Sequence, residues 1–151
     1  MKLQEALKTD RFKDELHKAS LNVIYTAYWM KSKMSAVFKE HGLTEEQFNV
    51  MRILKGKHPE AMCVRDIASR MLEKNSNVPR IIDRLVAKKL VKRATSKEDR
   101  RETLIVLTEK GISHLAVASS AVENLSEEIL NLTQSEATQL HELLEKFRKI
   151  D

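Results

Sequence analysis

The 151-residue sequence holds one cysteine, Cys63, with three glycines, two prolines and only 5% aromatic residues. A single thiol excludes an internal disulfide framework and makes a reducing, cytoplasmic setting the expectation. With so few turn formers, and with Leu, Ala, Lys and Glu abundant, long helices are expected rather than a sheet-rich fold. No run approaches the roughly eighteen consecutive apolar residues of a membrane span, and the N-terminal residues MKLQEALKTDRFKDEL lack the apolar stretch of a secretion signal. Neither a membrane partner nor a leader is expected. A Gly-rich phosphate loop, G-x-S-x-G, H-E-x-x-H and CxxC are all missing, so neither an enzyme nor a bound cofactor is indicated. No repeat or Pro/Gly/Ser linker divides the chain, which has the length of one domain with its own core.

What is present is unevenly charged. From Lys74 to Arg101 there are ten Lys or Arg against three acids, an excess of seven, whereas the whole chain is only +5. The remainder is therefore net negative, and positive charge confined to one segment is the footprint of a polyanion reader.

Around that segment the apolar spacing is helical. Phe12, Leu16, Ala19, Val23, Ala27, Met30, Met34 and Val37 form one stripe, which predicts a continuous helix over 10–39. Ile24, Tyr28, Trp29 and Phe38 widen it beyond one contact face, so something besides the chain's own core is expected to cover part of it. His41-Gly42 breaks this helix. The next starts with a capping box, Thr44 to Gln47, and a staple, Leu43 on Phe48, and runs to about Lys57. Val64–Leu72 reads as a two-turn helix. Asn75-Ser76-Asn77 offers caps for another, with Pro79 in its first turn, where a missing N–H does no harm. Val91–Thr95 and Thr103–Leu107 alternate as two strands, and the polar residues 96–102 between them are a hairpin tip. Thr108 and the box Thr133-Gln134-Ser135-Glu136 start two final helices.

Two short helices followed by a basic-tipped hairpin make a winged helix-turn-helix. In such a module the second helix fits the major groove of double-stranded DNA and presents side chains from its N-terminal turns. Ser76, Asn77 and Arg80 are the candidates to read bases, and Arg84 and Lys88 to hold phosphates. At the tip, Lys97, Arg100 and Arg101 can enter a minor groove, and Asp99 can hold Arg101 in one orientation through charge-assisted hydrogen bonds.

The residues Ser96-Lys97-Glu98-Asp99-Arg100-Arg101 and Val106-Leu107-Thr108-Glu109-Lys110-Gly111, with Arg80–Leu85 and Leu90–Arg93 before them, resemble the MarR family of bacterial regulators. Leu43–Phe48 and both flanking helices extend the resemblance over nearly the full length. It implies a mainly α fold in one domain: a winged-helix DNA-binding lobe over 43–108 with a two-stranded β wing, and dimerisation helices over 1–40 and 109–151. It also implies a homodimer that binds a pseudo-palindromic operator, usually as a repressor, with a small-molecule effector pocket. Tyr25, Tyr28, Trp29, Met30, Phe38 and Met51 are candidates to line that pocket, although the same stripe reads first as core. Two departures stand out. Lys89 occupies the place where a Gly commonly ends the family's recognition helix, and Pro79 lies inside that helix.

Other features invite weaker readings. Cys63, at a helix start and without a second cysteine, reads as a buried structural residue rather than a redox sensor. Some relatives bind zinc near the positions of His41 and His114, but Lys110 and Ala118 flank His114 where a second ligand on its helix would stand, so no metal is expected. The competing function is a winged-helix module for protein or RNA assembly, which would lack sequence preference.

Overall fold

The computed structural model describes residues 1–96 and 102–148. In chain order its elements are α1 (Leu3–Leu7), α2 (Glu15–Glu40), α3 (Glu45–Lys57), β1 (Met62–Cys63), α4 (Val64–Arg70), α5 (Val78–Ala87), β2 (Val91–Thr95), β3 (Thr103–Leu107), α6 (Glu109–Ile129) and α7 (Gln134–Arg148). The fold is mostly helical with a small antiparallel sheet, a winged helix-turn-helix as expected.

The helix expected from residue 10 begins later. Asp14 caps it, accepting a hydrogen bond from the His17 N–H at 2.7 Å, and a capped start at Glu15 leaves Phe12 outside, edge-on to the His17 ring. The short α1 ahead of it was not foreseen, because five residues are too few to show a period. The expected Thr44–Gln47 capping box is formed at the start of α3, with both reciprocal hydrogen bonds present. α4 stops at Arg70, two residues short of its expected end, and Leu72 is 82% exposed.

β1 is the second addition. Met62 and Cys63 pair with Ile105 and Leu104 of β3, which gives a three-stranded sheet in the order β1-β3-β2 where two strands were expected. Two residues cannot display alternation, so only the fold reveals this strand. β2 and β3 pair from Val91 opposite Leu107 to Thr95 opposite Thr103. The buried side chains Val91, Ile105 and Leu107 turn one face of the hairpin inward. Ser96, placed in the polar tip from the sequence, is itself buried and donates its N–H to the Glu102 carbonyl.

One core joins every part of the lobe. Val50, Met51 and Leu54 of α3, Ile67 of α4, Ile82 and Leu85 of α5, and Ile105 of β3 meet Phe38 of α2 and Leu115 and Ala118 of α6. Burying each large side chain contributes on the order of 1.5–3 kcal/mol. The C-terminal end of α2 and the first half of α6 are thereby fixed to the lobe. α7 has no buried residue, and the rest of α2 is largely exposed. Among the described residues no helix is long and apolar enough to cross a membrane.

Candidate nucleic-acid interface

α5 is set on the lobe by its apolar side. Val78, Ile82 and Leu85 are buried, which leaves Arg80, Asp83 and Arg84 on the outer side. Pro79 lies in the first turn and Asn77 caps the helix, its Oδ1 accepting from the Arg80 N–H at 3.2 Å. That bond occupies the amide oxygen, so Asn77 retains its NH₂ group to address a base edge. The hydroxyl of Ser76 is occluded and has no hydrogen-bond partner among the described residues. The residue itself lines the same groove as Asn77 and Arg80.

Arg80 and Arg84 differ from Lys74, Lys88 and Arg93 of the same segment. No described acid forms an ion pair with Arg80 or Arg84, although Glu46 and Glu73 line the same open groove of about 580 Å³, with Asn75, Ser76 and Asn77. Arg93 of β2, in contrast, is paired with Asp83 of α5, which clasps the wing to the recognition helix. Lys74 donates to the Ser69 carbonyl at 2.8 Å across the turn between the two short helices. Lys88, expected on a phosphate, donates to the Gly42 carbonyl at 2.5 Å and to Gln47 Oε1 at 2.8 Å. Sequence reasoning did not foresee these partners, which lie more than forty positions away in the chain. Asn49 adds a contact that sequence reasoning missed: its Oδ1 accepts from the Leu72 N–H at 2.9 Å and ties α3 to the turn before α5. Lys97, Asp99, Arg100 and Arg101 lie outside the described residues.

The turn from α5 into the wing answers the missing glycine. Lys89 takes up φ 61, the Leu90 N–H donates to Leu85 O at 3.0 Å and the Lys89 N–H to Val86 O at 2.8 Å. This is a complete Schellman motif with a lysine in the left-handed position.

Comparison with known proteins places this architecture. The sequence model of the MarR family matches residues 43–103. The HTH-type transcriptional regulator MhqR of Bacillus subtilis (strain 168) is 31% identical over 105 residues, covering 63% of this chain and 70% of that protein. This chain belongs to the MarR family. It is a DNA-binding transcription regulator and not an enzyme. A MarR transcription factor from Planctomyces limnophilus superposes with a TM-score of 0.69 at 31% identity, covering 93% of this chain and 100% of that one. A mutant of E. coli MarR complexed with operator DNA gives a TM-score of 0.77 at 22% identity over 91% of this chain and 98% of that one, which shows the shared MarR fold.

The candidate effector residues do not form one site in this MarR chain. Phe38 and Met51 are buried at 1% and 0% exposure in the core and cannot line an open cavity. Tyr25 and Trp29 instead line a hollow of about 290 Å³ with Met1, Leu3, Asn22 and Thr26, between α1 and α2. Tyr28 is exposed on another side of α2, and Met30 is half-buried. The stripe read first as core divides in the same way: its C-terminal end is core and its middle is not.

Two residues that look dispersed in the sequence meet in the fold. His114 Nε2 lies 2.7 Å from the His41 carbonyl, and the two rings are edge to face at 6.5 Å. Cys63 is buried, at the start of α4 where the sequence placed it.

Proposed function

We propose that this MarR-family regulator acts as a homodimer that binds a pseudo-palindromic operator and represses transcription. The observation that carries the reading is the apolar surface left on helices outside the lobe. Leu16, Ile24 and Tyr28 of α2, with Leu140, Leu143 and Phe147 of α7, are exposed large apolar side chains outside the core. Exposed apolar area on this scale marks an interaction surface. A two-fold pairing through it would present two copies of α5, and half-sites about 34–36 Å apart would match them. Residues 43–108 would form the reading lobe, and 1–40 with 109–151 the dimerisation helices.

Arg80 and Arg84 support DNA contact by being outward and unpaired with any described acid. Asn77 supports it with its free amide donor. The basic tip residues Lys97, Arg100 and Arg101 would add contacts beside the major groove, with Asp99 orienting Arg101. A small-molecule effector would act by binding the competent and incompetent spacings of the two α5 helices unequally. The hollow beside Tyr25 and Trp29 is its candidate site.

Selection of binding sites from a random duplex pool, run in parallel with wild type and Arg101→Ala, tests the reading. A recovered palindrome that weakens in the variant supports a dimeric operator reader. Salt-sensitive binding to every duplex with no enriched motif would defeat it.

A further inference from the structure

α2 belongs to two bodies at once. Its N-terminal part carries the exposed Leu16, Ile24 and Tyr28, while its last turns enter the core through Phe38. It ends in a Schellman turn: Gly42 adopts φ 62, its N–H donates to Lys39 O at 3.0 Å, and the Leu43 N–H donates to Phe38 O at 2.9 Å. The recognition helix α5 ends in the same motif at Lys89. The Lys88 ammonium joins the two turns through its bonds to the Gly42 carbonyl and to Gln47 Oε1.

The surroundings make this a built contact. Gln47 is 2% exposed, and its Oε1 also accepts from the Thr44 N–H in the capping box of α3. His114 of α6 holds the neighbouring carbonyl, that of His41, and Lys110 donates to the Lys88 carbonyl at 3.1 Å. A cation at a helix C-terminus also meets the negative end of that helix.

We propose that Lys88 is a positioning residue for DNA recognition. It fastens the C-terminal end of α5 to the corner between α2 and α3, so that the helix bearing the dimer face and the helix that reads DNA move as one body. This rests on the dimeric reading above. Two half-sites demand a fixed spacing between two recognition helices, whereas a single half-site does not. Loosening the pin therefore acts on the palindrome alone.

The test compares wild type, Lys88→Gln and Lys88→Arg on the selected palindrome and on the same duplex with one half-site scrambled, over a range of salt. Lys88→Gln is expected to bind the palindrome roughly tenfold more weakly, the scale of one charge-assisted hydrogen bond. On the scrambled duplex it should match wild type, with an unchanged salt slope. Lys88→Arg, which reaches the same oxygens, should recover most of the loss. Equal losses on both duplexes with a salt slope smaller by about one would make Lys88 a phosphate contact and overturn the proposal. Unchanged affinity would overturn it too. The pin is also read without DNA, by amide exchange of Thr44 and Leu90 in the free protein. Lys88→Gln should speed both, and unchanged exchange defeats the proposal even if wild type shows no preference for a palindrome, which would be a failure of the operator reading instead.

Discussion

Gly111 sits directly against the Leu90 carbonyl: a Cβ built on Gly111 would lie 1.9 Å from that oxygen and 2.9 Å from its carbon. The same carbonyl accepts the Thr108 N–H at 3.1 Å. Thr108 Oγ1 donates to the Lys89 and Leu90 carbonyls and accepts from the Gly111 N–H. The Leu-Thr-x-x-Gly start of α6 is thus the socket into which the end of the recognition helix fits. Gly111→Ala forces backbone apart and should cost about 2–3 kcal/mol, a fall in Tm of roughly 5–10 °C for a domain of this size. A melting curve that superposes on wild type would show that the socket is looser than described.

Lys89 is the converse case. It holds a left-handed backbone that a glycine adopts without strain, and its N–H and carbonyl are both engaged. Lys89→Gly is expected to raise stability by about 0.5–1 kcal/mol, the relief of strain exceeding the added freedom of the unfolded chain. Lys89→Val should lower it. Urea midpoints of the three proteins check the order, and a glycine variant less stable than wild type contradicts it.

The proposed dimer face predicts a change of mass. Tyr28 is 71% exposed and Leu143 63%, so Tyr28→Glu and Leu143→Glu should leave the lobe folded. Sedimentation should show monomers at concentrations where wild type sediments as a dimer, with palindrome binding lost in parallel. Persistent dimers in both variants would place the interface elsewhere.

Arg80 is proposed to read bases and Arg101, from the sequence, to enter the minor groove. Arg80→Ala should cost about 1–3 kcal/mol on the selected site and relax the preference at particular base pairs. Arg101→Ala should weaken all duplexes, with a salt slope reduced by about one. Identical losses on every duplex for both variants would refute the division.

Acid should loosen α7 from its start. Glu136 accepts the backbone N–H and the hydroxyl of Thr133, each at 2.8 Å. The backbone bond first, then the hydroxyl, holds its carboxyl below the ordinary glutamate range. A depressed folded value means that its contribution is complete above the unfolded pKa and disappears as pH falls through the folded one. The amide chemical shift of Thr133 should therefore titrate below the usual glutamate midpoint in wild type, and Glu136→Gln should abolish that step. A Thr133 shift that ignores pH would remove this role.

Local signals were legible where the chemistry is local. The Thr44–Gln47 box, the caps at Asn77, Thr108 and Thr133, and the β2–β3 hairpin all depend on residues a few positions apart. What escaped notice depends on distance. The bonds of Lys88 to Gly42 and Gln47 were not foreseen because nothing near it in sequence announces them. The occlusion of the Ser76 hydroxyl was not foreseen because composition does not say which way a hydroxyl turns. Phe38 was grouped with Tyr25 and Trp29 because a helical stripe records side, not depth. β1 was invisible because its pairing partner lies some forty residues on.

β2 is the outer strand of its sheet, with one backbone edge unpaired. Such an edge is a template for strands of other molecules, and misassembly into stacked sheets is its usual failure. On this strand Lys92 and Arg93 are exposed, and Arg93 is anchored to α5 through Asp83. Bringing a second wing alongside would set like charges together. Lys92, exposed and without an acidic partner among the described residues, thus opposes edge-to-edge pairing of two wings.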